Sequence, residues 1–166
     1  MTHRRLFLAA TLSLVLAAAG ASAAGPQDEQ SILLDTIRAN RKAFVAVNLA
    51  LGEDEAKSFW PLYDKYQGEL NPIQDRVVAL VEDYTANYRD LGNEKAMKLV
   101  QDYLSADADR VQVRTRYLPE FGKILPGRTV ARFYQLENKM DAVIRYELAR
   151  SIPVIDEKAA PPAPAK

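Results

Sequence analysis

The strongest constraint on the fold is a run of apolar residues that are alternately four and three positions apart until its last step. The run consists of Phe59, Tyr63, Tyr66, Leu70, Ile73, Val77, Leu80, Tyr84 and Tyr88. This spacing places every member on one face of an α-helix, whereas a strand would require apolar residues at every second position. A single helix from Glu53 to Arg89 would be roughly 55 Å long at 1.5 Å per residue. The sequence therefore predicts one unusually long helix that packs along its length against partner helices.

Two prolines, Pro61 and Pro72, lie within this run. Proline removes a backbone donor and crowds the preceding turn of a helix. The apolar face keeps its phase through Pro72, so we expect one bent helix rather than several short helices.

The rest of the chain also predicts helices. The segment 90–93, Asp-Leu-Gly-Asn, is typical of a turn between two helices. The following helix has its apolar residues on one side, with Asp107 and Arg110 among the outward positions, and Pro119 is expected to bend it. A first helix over 32–49 and a last one over 126–150 complete a four-helix, all-α fold. The apolar side of the third helix comprises Met97, Val100, Leu104, Val111 and Leu118.

Both ends of the chain differ in composition from the middle. Residues 1–23 combine Arg4 and Arg5, a short apolar run and a small-x-small site ending at Ala23, as in a secretory signal peptide. We expect cleavage near Ala23, export to the periplasm, a loose leader over 24–29 and a helical domain over 30–152. The Ala/Pro-rich tail, 153–166, lacks the apolar bulk to pack and is predicted to be disordered.

The composition also excludes several kinds of chemistry. The one histidine, His3, lies in the signal segment, and the chain has no cysteine. Nucleophile pairs with histidine, thiol redox chemistry and most transition-metal sites are therefore not expected. Loss of the signal would leave 20 basic and 22 acidic residues, a net charge near −2 that argues against nucleic acid. We expect no enzyme activity, no cofactor and no membrane span in the mature chain.

A weak internal repeat relates the starts of two predicted helices. Residues 51–62 align with residues 125–136, so that the leucines at both ends and the phenylalanines coincide. Each copy has a loop leucine, a helix start and an aromatic pair eight or nine residues later. A chance similarity between two amphipathic helix starts is the alternative.

These helix starts resemble degenerate forms of the L-T-x-x-Q motif of the Spy/CpxP family of periplasmic stress proteins. Glycine or proline replaces the threonine, and glutamate or threonine replaces the glutamine, so we expect the helix starts to persist without the family's specific capping contact. The motif positions are Leu51, Gly52 and Glu55 in the first copy and Leu125, Pro126 and Thr129 in the second.

The resemblance implies long bent helices that form a hairpin or cradle and pair as an antiparallel homodimer. It further implies ATP-independent, chaperone-like binding of unfolded or stressed envelope proteins. The alternative is an adaptor or sensor that binds one specific partner, such as an envelope-stress signalling protein. A chaperone would hold unrelated clients, whereas an adaptor would bind one folded protein.

Aromatic and basic side chains are the candidates for a protein-binding surface. Aromatic residues give a large contact area at low entropic cost, although many of them could equally form the core. The arginines could form a charged patch, or could pair with acids of a neighbouring helix. The candidates are Phe59, Trp60, Tyr63, Arg110, Arg114, Arg128, Arg132, Phe133 and Tyr134.

Overall fold

The computed structural model describes residues 26–155, apart from the side chains of residues 26–35, 37, 38 and 151. The described part contains four α-helices and no strand, which confirms the predicted all-α class. The helices are α1 (Pro26–Leu49), α2 (Glu53–Asn87), α3 (Asn93–Ile124) and α4 (Gly127–Ser151), with one 3₁₀ turn (Tyr88–Asp90) after α2.

The predicted long helix is confirmed. α2 runs without interruption through Pro61 and Pro72, and α3 likewise continues through Pro119 to Ile124. The apolar face of α2 is buried on both sides of the prolines, with Phe59 before Pro61, Tyr63 and Tyr66 between the prolines, and Val81 after Pro72. Burial of that face stabilises the helix against the loss of one backbone hydrogen bond at each proline.

The face that α3 turns toward the core differs from the predicted one. Ala106, Val113, Tyr117 and Phe121 are buried, whereas the expected apolar side is exposed. Asp107 and Arg110, expected to point outward, are partly buried. Tyr117 and Phe121 pack into the aromatic cluster of α2 and α4, and these contacts determine which side of α3 packs.

Two helix pairs build the molecule. α2 and α3 form the longer antiparallel hairpin, and α1 packs against α4. An aromatic cluster joins the pairs, with Phe121 and Phe133 ring centres 4.7 Å apart and Phe59 to Phe133 5.3 Å apart. The far end of the α2–α3 hairpin extends beyond this cluster.

The start of the described segment differs from the sequence prediction. α1 begins at Pro26, so residues 26–29 of the predicted leader are helical, since the fixed φ of proline suits the first turn of a helix. At the other end, residues 153–155 belong to the predicted tail and follow α4 as a non-helical segment. The predicted signal peptide, 1–23, and the tail beyond residue 155 lie outside the described residues.

Candidate functional site

The aromatic residues predicted to bind protein lie mainly in the core. Phe59, Tyr63 and Phe133 are at most 2% exposed, so they are not available on the surface of this chain. Trp60 and Tyr134 are half-buried at the rim of the same cluster. The Tyr134 hydroxyl donates a hydrogen bond to the Arg114 carbonyl at 2.7 Å. The aromatic set therefore holds the helices together, and a binding surface must come from other residues.

The two motif segments meet at one end of this core. Leu125 is buried and Leu51 packs beside the same cluster. Phe59 and Phe133, equivalent residues of the repeat, are in edge-to-face contact. A Glu55 carboxylate oxygen accepts a hydrogen bond from the Gly52 amide at 3.0 Å, a capping contact that the sequence analysis did not expect.

The second motif segment begins its helix without a side-chain cap. The Pro126 carbonyl instead accepts hydrogen bonds from the amides of Thr129 and Val130. The two segments thus have the same place in the fold and different capping chemistry.

The predicted basic residues do not form one patch. Arg128 is exposed at the start of α4. Arg132 donates from its Nε to the Asn48 carbonyl at 2.8 Å and so holds the end of α1. Arg110 and Arg114 are partly buried and pair with acids of α4, as the alternative interpretation of these arginines anticipated.

Arg110 and Arg114 belong to a network of ion pairs in the middle of the molecule, which we call the central network. Asp141 accepts from Arg41 at 2.8 Å and from Arg114 at 2.9 Å. Arg41 also donates to Glu137 at 2.9 Å, and both of these side chains are almost completely buried. Four arginines face three carboxylates in the central network, which consists of Arg41, Arg110, Arg114, Arg145, Asp107, Glu137 and Asp141.

Burial raises the pKa of the Glu137 carboxyl, although Arg41 opposes this effect. Burial works to lower the pKa of Arg41, but Glu137 and Asp141 together raise it above its ordinary value. Removal of one partner from a buried pair leaves an uncompensated charge. The central network therefore fixes the relative positions of α1, α3 and α4.

A second feature is an apolar groove at the far end of the α2–α3 hairpin, which we call the distal groove. Its volume is about 240 Å³, and its walls include Leu80 and Tyr84 of α2 and Leu99 and Tyr103 of α3. The segment after α4 forms part of its wall: Ile152 and Ile155 line the groove, and the Tyr84 hydroxyl donates to the Pro153 carbonyl at 2.6 Å. A non-helical apolar segment of the chain itself thus borders the groove beside residues of α2 and α3.

A third feature is the outer face of α3, which we call the α3 seam. Four large apolar residues recur every seven positions and are 49% to 60% exposed. The position four residues after each of them is exposed as well and carries no charge. The α3 seam consists of Met97, Gln101, Leu104, Ala108, Val111, Thr115, Leu118 and Gly122.

Within residues 26–155, no helix is long and apolar enough to cross a membrane. The same residues contain no group of three or more histidine, cysteine, aspartate or glutamate side chains placed to hold a metal ion. Comparison of the chain with known protein families, curated proteins and solved structures finds no match.

Proposed function

We propose that this chain is a non-catalytic, ATP-independent, chaperone-like protein of the periplasm that binds unfolded or stressed envelope proteins. The observation that carries the proposal is the open apolar distal groove, one side of which is the chain's own non-helical segment 152–155. A groove whose walls already pack beside a non-helical apolar segment of the chain itself has the polarity to accept a similar segment of an unfolded protein in its open space. Extended apolar segments are what unfolded proteins expose and folded proteins bury.

The binding chemistry of the distal groove is nonspecific. Its walls are aliphatic and aromatic side chains, such as Leu80, Leu99 and Tyr103, which stabilise any apolar side chain that they cover. The hydrogen bond from Tyr84 to the chain's own segment is made to a backbone carbonyl, the Pro153 oxygen, which every polypeptide can offer. These two properties favour a protein that holds many clients weakly.

We further infer that the working unit is an antiparallel homodimer formed through the α3 seam. A strict seven-residue repeat of apolar residues is the pattern of a left-handed coiled coil. The first half of α3, 93–109, carries four acids and two bases, whereas the second half, 110–124, carries one acid and four bases. An antiparallel second copy places each acidic half beside the partner's basic half.

The α3 seam is also complementary to itself in size. In an antiparallel pair centred between residues 109 and 110, a large side chain meets a smaller or more slender one in each layer. Gly122 has open space where a Cβ would lie, which leaves room for a long side chain at the opposite position. The layers pair Met97 with Gly122, Leu104 with Thr115, Val111 with Ala108, and Leu118 with Gln101.

The test of function is light scattering from two unrelated denatured proteins, with and without residues 24–166 and in the absence of ATP. We expect suppression of both aggregations at a near-stoichiometric ratio. A Leu80→Glu/Leu99→Glu variant should lose this effect, because charges in the distal groove would have to be desolvated when a client binds.

The control is Val47→Glu, which adds one charge of the same sign at an exposed apolar residue of α1, away from the distal groove. We expect it to act as the unmodified chain does. If the unmodified chain suppresses neither aggregation, the chaperone proposal is wrong and an adaptor for one folded partner becomes the better hypothesis. Equal loss in Val47→Glu would mean that the distal groove is not the binding site.

A further inference from the structure

A second cavity lies between α2, α3 and α4. Its charged end is separate from the distal groove. Its volume is about 310 Å³, within the size range of small-molecule sites. Leu70, Ile73 and Val77 of α2 form one apolar wall. Ile144 and Leu148 of α4 form the facing wall.

The inner end of this cavity is charged. Arg41, Arg110 and Arg145 line it, together with Asp107 and Asp141. These five side chains belong to the central network, in which arginines outnumber carboxylates by four to three among the described residues. The three arginines that line the cavity exceed its two carboxylates by one, so this end carries one positive charge without a matching carboxylate.

One donor of the central network also lacks a partner. The Arg110 Nε is buried and makes no hydrogen bond, although the other guanidinium nitrogens pair with Asp107 and Asp141. A buried donor without an acceptor is costly, so a small shift of the Arg110 side chain that brought this Nε to an anion in the cavity would relieve that cost. Both observations call for an anion at the inner end of the cavity.

We propose that this cavity binds an amphiphile with a single carboxylate, such as a medium-chain fatty acid. The head group would lie beside Arg110 and Arg145, and the alkyl chain would lie between the walls of α2 and α4. The proposal does not depend on client binding in the distal groove, although Val81, Tyr103 and Ile152 border both cavities.

Calorimetric titration with decanoate tests the proposal. We expect one site per chain on delipidated protein below the micelle-forming concentration. Decanol, which has no charge, and decyltrimethylammonium, which has the opposite charge, should each bind at least ten times more weakly. Equal affinity for the three compounds, or no binding of decanoate, would overturn the proposal.

Two variants locate the site. Ala149 lines the cavity and Ala142 is an exposed alanine of the same helix outside it, so Ala149→Trp should abolish decanoate binding while Ala142→Trp should not. Arg145→Gln removes the excess charge and should weaken binding at least fivefold, with Arg128→Gln as the matched control. Far-ultraviolet circular dichroism checks that each variant is folded. Binding that survives both Ala149→Trp and Arg145→Gln would place decanoate elsewhere and contradict the proposal.

Discussion

At the scale of single residues, the backbone of Ala50 departs most clearly from what its side chain favours. It follows the last residue of α1 and has a φ of 51°, in the left-handed region. Helices often end with one residue in this conformation, and glycine is the usual choice because a Cβ is crowded there. We predict that Ala50→Gly raises the free energy of unfolding by about 0.5–1 kcal/mol, as measured by chemical denaturation.

The control for this prediction is Ala79→Gly. Ala79 is exposed in the interior of α2, where glycine is less favourable than alanine by up to about 1 kcal/mol. The two substitutions should therefore have opposite signs. A loss of stability in both would show that the left-handed conformation at Ala50 is not strained.

Glu137 is predicted to make stability depend on pH. Burial raises its pKa in the folded chain, so the folded state takes up a proton at a higher pH than the unfolded state does. The resulting stabilisation is complete below the ordinary pKa near 4.5 and is lost as the pH rises through the raised value. Glutamine cannot titrate, so the stability of the unmodified chain relative to Glu137→Gln should increase as the pH falls from 8 toward 5.

Chemical denaturation of both chains at pH 8, 7, 6 and 5 gives this difference directly. Glu94→Gln, which changes an exposed carboxylate at the start of α3, is the matched control and should show a much smaller trend. The prediction would be contradicted if the unmodified chain lost stability relative to Glu137→Gln as the pH falls. Such a result would mean that Arg41 outweighs burial at Glu137.

At the scale of the helix, α4 shows how far the sequence could predict the site. Its buried side follows steps of three and four through Val130, Phe133, Glu137, Met140 and Ile144. A charged residue at a core position of this series was a visible signal that Glu137 has a buried partner. That the partner is Arg41, 96 positions away, depends on the packing of α1 against α4 and could not be read from local spacing.

α3 presents the same limit in a different form. It carries two apolar sets: one is the α3 seam, and the other includes Val113, Tyr117 and Phe121. Periodicity identifies both sets but does not tell which one faces the partner helix within the chain. The aromatic cluster with Phe59 and Phe133 decides it, because its contacts are available to one set alone. The long helices and the turns were therefore predictable, and the orientation of α3 was not.

At the scale of the whole molecule, the two helix pairs leave the α3 seam on the outside. The large apolar residues of the seam remain about half exposed, although Leu104 also borders the distal groove and Leu118 and Gly122 border a surface pocket beside the start of α4. A row of exposed aliphatic side chains this regular is unusual for a surface that meets only water. In the homodimer proposal a second copy of the chain covers the α3 seam. The proposal also states which residues of the two copies face each other, and this register can be tested.

Single-cysteine variants test that register cleanly, because the chain has no cysteine of its own. In the antiparallel pair, position 101 of one copy faces position 118 of the other. We predict that a mixture of Gln101→Cys and Leu118→Cys forms a disulfide-linked dimer on mild oxidation. Two cysteines at position 101 would lie roughly 26 Å apart, at 1.5 Å per residue, far beyond the reach of a disulfide.

Non-reducing electrophoresis reads the outcome. Gln101→Cys alone should remain unlinked, and so should its mixture with Gln135→Cys, an exposed position of α4 outside the α3 seam. Linkage of Gln101→Cys with itself would indicate a parallel pair, which would set the acidic halves of α3 side by side and contradict the charge argument. If no mixture links and light scattering gives the mass of one chain, the α3 seam is not a dimer interface. Its exposed aliphatic row would then be the next surface to test for client binding.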